Sequence, residues 1–185
     1  MQQLHKTESR GHEQDDGGAH DKDAQKQRDF LETLVHELFQ TEQSAKSHPL
    51  VESERLGDVP PGRAMLAVSV QAEAVLAELP GLMKPRGLPV SEGGMGVGKV
   101  FSLIRDKIAD QVLSYEKSYR GTLLGMRHGL DVVTLIGYVA AASGDQGFAQ
   151  WCERWLEQRR PLVEAAAREL SWFAAHPEIA TRTVD

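Results

Sequence analysis

Cysteine is almost missing from this sequence: Cys152 is the single one among 185 residues. One thiol excludes an intramolecular disulfide and any zinc site built from several cysteines. Basic excess is missing too. The 27 acidic side chains against 21 basic ones leave a net charge of −6, so no basic face is expected for nucleic acid or an anionic membrane. Long apolar runs are absent as well. The most apolar window, Leu130 to Ala142, contains Asp131, follows Arg127 and His128, and is too short for a bilayer. The first residues lack the apolar core of a signal peptide, and Met1-Gln2-Gln3 does not open a myristoylation motif. A soluble, cytoplasmic protein with neither nucleic-acid nor membrane partners is the expectation.

What is present is helical periodicity. The hydrophobic share, 41%, is enough for an ordinary core, and no strand period of two competes with the helical one. From Val97 to Ala142, the positions Phe101, Ile104, Ile108, Val112, Tyr115, Tyr119, Leu123, Met126, Leu130, Val133 and Gly137 stay within about 60° of one line at 100° per residue. This stretch reads as one long helix or two nearly coaxial ones, with its weak point among Gly121, Gly125 and Gly129. Leu124, Leu135, Val132 and Val139 make its far side apolar, so the sequence predicts a central helix covered on two sides.

The remaining chain divides around that helix. Residues 1–27 are charged, polar and nearly without apolar side chains, which predicts a disordered tail. Its histidines, His5, His12 and His20, read as solvated, and its aspartates do not fit a calcium loop. A first helix starts at Arg28 or Asp29, buries Phe30, Leu31, Leu34, Val35, Leu38 and Phe39, and ends near Ser47 ahead of Pro49. Leu50 to Leu56 adds a short turn before the breaker Gly57-Asp58-Val59-Pro60-Pro61. A second helix opens with Pro61 in its first turn and buries Met65, Val68, Ser69, Ala72, Val75, Leu76 and Leu79. Pro80-Gly81 weakens or ends it. Lys84 to Gly98 is a long connector, suited to a crossover rather than a tight turn. After the central helix, Asp145 is placed to cap a last helix, Gln146 to Ala175, in which Phe148, Trp151, Cys152, Trp155, Leu162, Ala166, Leu170 and Phe173 keep one phase through Pro161. The fold class is therefore all-α: a four-helix bundle over residues 28–176, with a long connector between helices two and three and a short tail at 177–185.

Two constellations invite chemistry. Gly93-Gly94-Met95-Gly96-Val97-Gly98-Lys99 fits the frame of a phosphate-binding loop, but Val100 stands where a magnesium-holding hydroxyl belongs and no buried strand precedes it. A flexible glycine connector is the simpler reading. The second lies inside the bundle. Glu116, Arg120, Arg127 and Asp131 flank the central stripe as two pairs four residues apart. Glu42 sits at the edge of helix one's apolar face, and Arg159 and Glu169 fall within the last stripe. Charge pairing of Glu116 with Arg120 or Arg159 accounts for them; a two-metal carboxylate centre is the alternative.

Four helices with a long connector between the second and third resemble the ferritin-like helical bundles, over roughly Arg28 to Ala175. A ferritin-like centre would set one inward Glu on each of two helices and Glu-x-x-His on the other two. Glu42, Glu116 and Glu169 match the carboxylate part of that pattern. Glu-x-x-His does not occur: Glu32 precedes His36 by four, and helix two has no histidine. The resemblance implies iron or manganese held by Glu42, Glu116 and Glu169.

His128 reads as a hydrogen-bonded interior or interface residue and Cys152 as a small core residue. Trp172 lies off the stripe, so an exposed indole there implies a contact surface. No convergent catalytic set is legible. The functional expectation is a non-enzymatic bundle without a cofactor, acting through a protein partner or as a homo-oligomer. The alternative is the ferritin-like metal or redox protein.

Overall fold

The computed structural model describes the backbone of residues 17–89 and 113–184, with side chains from residue 22. Four long helices carry the fold: α1 (Gly17–Leu56), α2 (Pro60–Met83), α3 (Tyr115–Ala142) and α4 (Gln146–Arg168). A 3-10 turn, Lys84–Arg86, follows α2, and two short helices, α5 (Leu170–Ala175) and α6 (Pro177–Ala180), close the chain. Among the described residues there is no sheet, only one antiparallel bridge between Ser114 and Thr183.

The helices form a square. α1 packs on α2 and α3, and α4 packs on α3 and α2, which leaves α1/α4 and α2/α3 as the diagonals. Named contacts give the directions. His128 meets Glu37 and Ser118 meets Glu52, so α3 runs antiparallel to α1. Lys46 meets Glu73, and Arg28 donates to the Gly87 carbonyl, so α2 is antiparallel to α1. Trp151 meets Glu78 and Tyr119 meets the Ala166 carbonyl, so α4 opposes both α2 and α3. The order is up, down, down, up. The chain leaves α2 level with Arg28 and starts α3 level with Glu52, so the connection between them covers about 36 Å of bundle length. The expected crossover is required by the helix directions. Its residues 90–112 lie outside the described residues. So do the first third of the expected long helix, residues 97–112, and the glycine-lysine motif at Gly93 to Lys99.

Helix boundaries differ from expectation at the prolines and glycines. α1 already includes residues 17–27, assigned above to the tail; residues 1–16 lie outside the described part. Side chains four or three apart close along it, Gln25 to Asp29, Lys26 to Asp23 and Arg28 to Glu32. A polar helix of good formers is supported by such pairs without burying a face. α1 also passes straight through Pro49. Proline removes the amide that would bond the Ala45 carbonyl; next to it, Ser69 of α2 donates to the Lys46 carbonyl at 2.6 Å and clamps the helix. Pro80 and Pro161 likewise lie within continuous helices. α3 is unbroken at Gly121, Gly125 and Gly129.

The core has two apolar halves. One gathers Leu34, Leu38, Leu79, Ile136, Phe148 and Trp155; the other gathers Met65, Val68, Tyr119, Leu123, Val163 and Phe173. The predicted stripes of α2 and α4 face inward, with Leu76, Leu162 and Leu170 only half-buried. α3 is not covered on two sides. Val132 is buried, but Leu124 and Leu135 are exposed, because the square arrangement gives a helix only two neighbours. Within the short tail, residues 177–184 pack on the bundle: α6 buries Ala180, the Arg182 carbonyl accepts from the Tyr115 amide at 2.8 Å, and the Val184 amide donates to the Leu113 carbonyl at 2.7 Å. By length and composition alone, Pro60–Arg86 and Tyr115–Ala142 each hold an 18-residue stretch apolar enough to cross a membrane, a property hidden when only the window Leu130 to Ala142 is weighed.

Candidate functional site

Between the apolar halves lies a polar layer. Glu42 of α1 and Arg159 of α4 face each other across the bundle's diagonal, both side chains 1% exposed, with Arg159 Nη2 donating to Glu42 Oε2 at 2.7 Å. Arg159 Nε donates to Gln71 Oε1 of α2, and the guanidinium carbon lies 4.8 Å from the Trp155 ring centre. α3 contributes Gly129 opposite Thr41, where a Cβ would sit in ordinary contact, 3.7 Å from that of Thr41. Charge inside a bundle is costly unless matched. Burial pushes the Glu42 carboxyl above its ordinary range, while Arg159 pulls it back; burial likewise holds Arg159 below its ordinary value against the pull of Glu42. Glu42 Oε1, Gln71 Nε2 and Trp155 Nε1 are buried without a hydrogen-bond partner among the described residues. The indole N–H still lies close enough to favour the charged form of Glu42.

A second cluster sits at the end where α3 begins. Glu52, 3% exposed, accepts from Ser118 Oγ and from Arg55 Nη1 at 2.9 Å, and Arg55 stacks near the Tyr115 ring. At the opposite end, Arg86 forks onto both oxygens of Asp145 at 2.6 and 3.1 Å while Asp145 caps the Phe148 amide at 2.9 Å. The Arg86 hydrogen bond is the first cause holding the Asp145 carboxyl low. This latch ties the turn after α2 to the start of α4. Cys152 is buried, and burial pushes its thiol up to about 12, which leaves no nucleophile at neutral pH.

The structure does not gather the three expected carboxylates. Glu42 is occupied by Arg159. Glu116 pairs with Arg120 at 2.7 Å on the half-exposed flank of α3, as the charge-pairing reading had it. Glu169 is the residue between α4 and α5. Among the described residues, no group of three or more His, Cys, Asp and Glu could hold a metal ion. His128 is bonded to Glu37 at 2.8 Å across the α1/α3 seam. Trp172 is half-buried rather than presented to solvent: it stacks on His176 at 4.1 Å and meets Phe173 edge-on.

Sequence reasoning missed Glu37, Glu52 and Gln71. Glu52 carried a signal, since Leu38, Ala45 and Glu52 follow one another at intervals of seven, so extending the α1 stripe past Pro49 puts it inside. Gln71 borders Ala72 in the α2 stripe but has no signal that singles it out as Arg159's acceptor.

No protein-family model, curated protein or solved structure matches the chain.

Proposed function

We propose that this protein is a non-enzymatic, cytoplasmic helical bundle that works through protein–protein contacts, first of all with itself. One observation carries the reading. Of the seven large apolar side chains exposed among the described residues, five lie on α2 and α3: Leu66, Val70, Leu124, Leu135 and Tyr138. Meanwhile the buried charges, Glu42, Glu52 and Arg159, are engaged in ion pairs, so the surface offers more unused capacity than the interior charges do. Native mass spectrometry of the full chain, purified without chelators or a histidine tag, tests it. A metal-free dimer or larger species is expected; a metal-free monomer at every concentration overturns self-association.

A ferritin-like metal or redox protein is the second reading, favoured by the up-down-down-up order with its single long crossover. Against it, the centre of the bundle holds a guanidinium bonded to Glu42, and Glu116 and Glu169 do not join it. One or two iron or manganese ions per chain in the same measurement, lost in E42Q, E116Q or E169Q, would establish it.

A further inference from the structure

The outward face of α3 is symmetric in its chemistry. Gly121, Leu124, Arg127, Asp131, Leu135 and Tyr138 fall within about 60° of one line at 100° per residue, with Lys117, Arg120 and His128 in the same sector. That line points to solvent, with Leu124, Leu135 and Tyr138 exposed by 57%, 40% and 71%. A Cβ at Gly121 would meet nothing within 4 Å. Arg127 and Asp131 are four apart yet form no ion pair, with each other or elsewhere, among the described residues. About a point between residues 129 and 130, Leu124 mirrors Leu135, Gly121 mirrors Tyr138, and Arg127 nearly mirrors Asp131.

We infer that a second copy of this chain docks on this face, α3 against α3, antiparallel around a twofold axis through that point. Resting on the reading above, this names the partner and the surface. At an interaxial separation of about 8–10 Å, Leu124 of one copy packs on Leu135 of the other. The space above Gly121 receives the Tyr138 ring. Arg127 meets Asp131, and symmetry makes every contact twice. An unrelated apolar partner or a lipid surface would have no use for a charge pair set in mirror order between two leucines. Charge complementarity to itself is what selects a second copy. α2 shows Leu66 and Val70 outward as well, but lies across the diagonal and has no such mirrored pair.

Sedimentation velocity of the full chain over a concentration series tests this. Wild type dimerises. R127D and D131R, both at exposed positions, each put like charges face to face twice and raise Kd at least tenfold, whereas R127D/D131R restores it to within threefold. The register is read by mixing Leu124→Cys with Leu135→Cys chains under mild oxidation: the mixture gives cross-linked dimer well above either alone, and buried Cys152 does not compete. A dimer indifferent to the charge swaps overturns this interface and leaves self-association standing. A strict monomer overturns both. Within a monomer, a Leu124→Cys thiol slow to react with maleimide assigns the face to the chain's own undescribed segment, and flotation with phosphatidylcholine vesicles assigns it to lipid; either result overturns the twofold pairing.

Discussion

Removing the guanidinium from the middle of the bundle is the most informative single perturbation. Arg159→Met keeps an unbranched apolar stem but is shorter, removes the guanidinium from the Trp155 ring and leaves Glu42 buried without its partner. Breaking a buried pair from one side costs about 3–5 kcal/mol, and at about 2–4 °C per kcal/mol for a domain of this size the melting temperature falls by roughly 6–20 °C. The loss depends on pH with a definite sign. Folding raises the Glu42 pKa above its ordinary 4.5, so the folded state keeps this proton to higher pH than the unfolded chain. The stability linked to that proton is complete below 4.5 and disappears as pH rises through the folded value. Arg159 opposes the rise; without it only the Trp155 indole offsets burial and the folded value climbs further. The deficit of R159M against wild type is therefore largest at neutral pH and shrinks toward pH 4. E42Q, which strands Arg159 instead, is destabilised without that recovery. E42L/R159M replaces both charges by apolar side chains and returns to within about 1 kcal/mol of wild type or above it. Urea melts followed by circular dichroism at pH 4, 5.5 and 7 provide the numbers. A cost for R159M below about 1 kcal/mol, or one that does not change with pH, would refute a buried, ionised pair.

Two further tests bear on the ends of the bundle. Asp145→Ala removes the cap of α4 and the Arg86 latch together, and should lower stability by about 1–2 kcal/mol at pH 7. Folding depresses the Asp145 pKa below its ordinary 3.8, so its contribution is present above 3.8 and is lost as pH falls through the folded value; the variant and wild type should converge in acid melts. Gly62→Ala drives a Cβ into the Gly57 carbonyl and should cost about 1–3 kcal/mol, whereas Gly125→Ala meets nothing and should stabilise by about 0.5–1 kcal/mol. Equal effects in thermal melts would contradict the packing at the start of α2.

The stripes of α2 and α4 were legible because apolar side chains at helical spacing have one side to bury. Met65, Val68, Ala72 and Leu79 of α2, then Phe148 and Trp155 of α4 with Phe173 of α5, turn inward as their phase requires. Boundaries were less legible. Pro49 and Pro80 locally oppose a helix, yet neighbours on one face hold α1 and α2 through them. Composition also put residues 22–27 in the tail, where side-chain pairs within one helix need no core. Of the site residues, Glu42 and Arg159 were visible as charges on apolar faces. Their pairing was not, because the two lie 117 positions apart on helices that meet only across the bundle's diagonal.

The sequence by itself determined the class of element, the inward faces of α2 and α4, the presence of a connector between helices two and three and the presence of charge where a core was due. These are local properties, written in a period of 3.6 and in the breakers between segments. Tertiary structure decided the up-down-down-up order, the match of Arg159 to Glu42 and Gln71, the engagement of Asp145 by Arg86 and the exposure of Leu124, Leu135 and Tyr138. The physical reason is that a helical period states which residues share a face, while only the arrangement of four helices determines what that face meets.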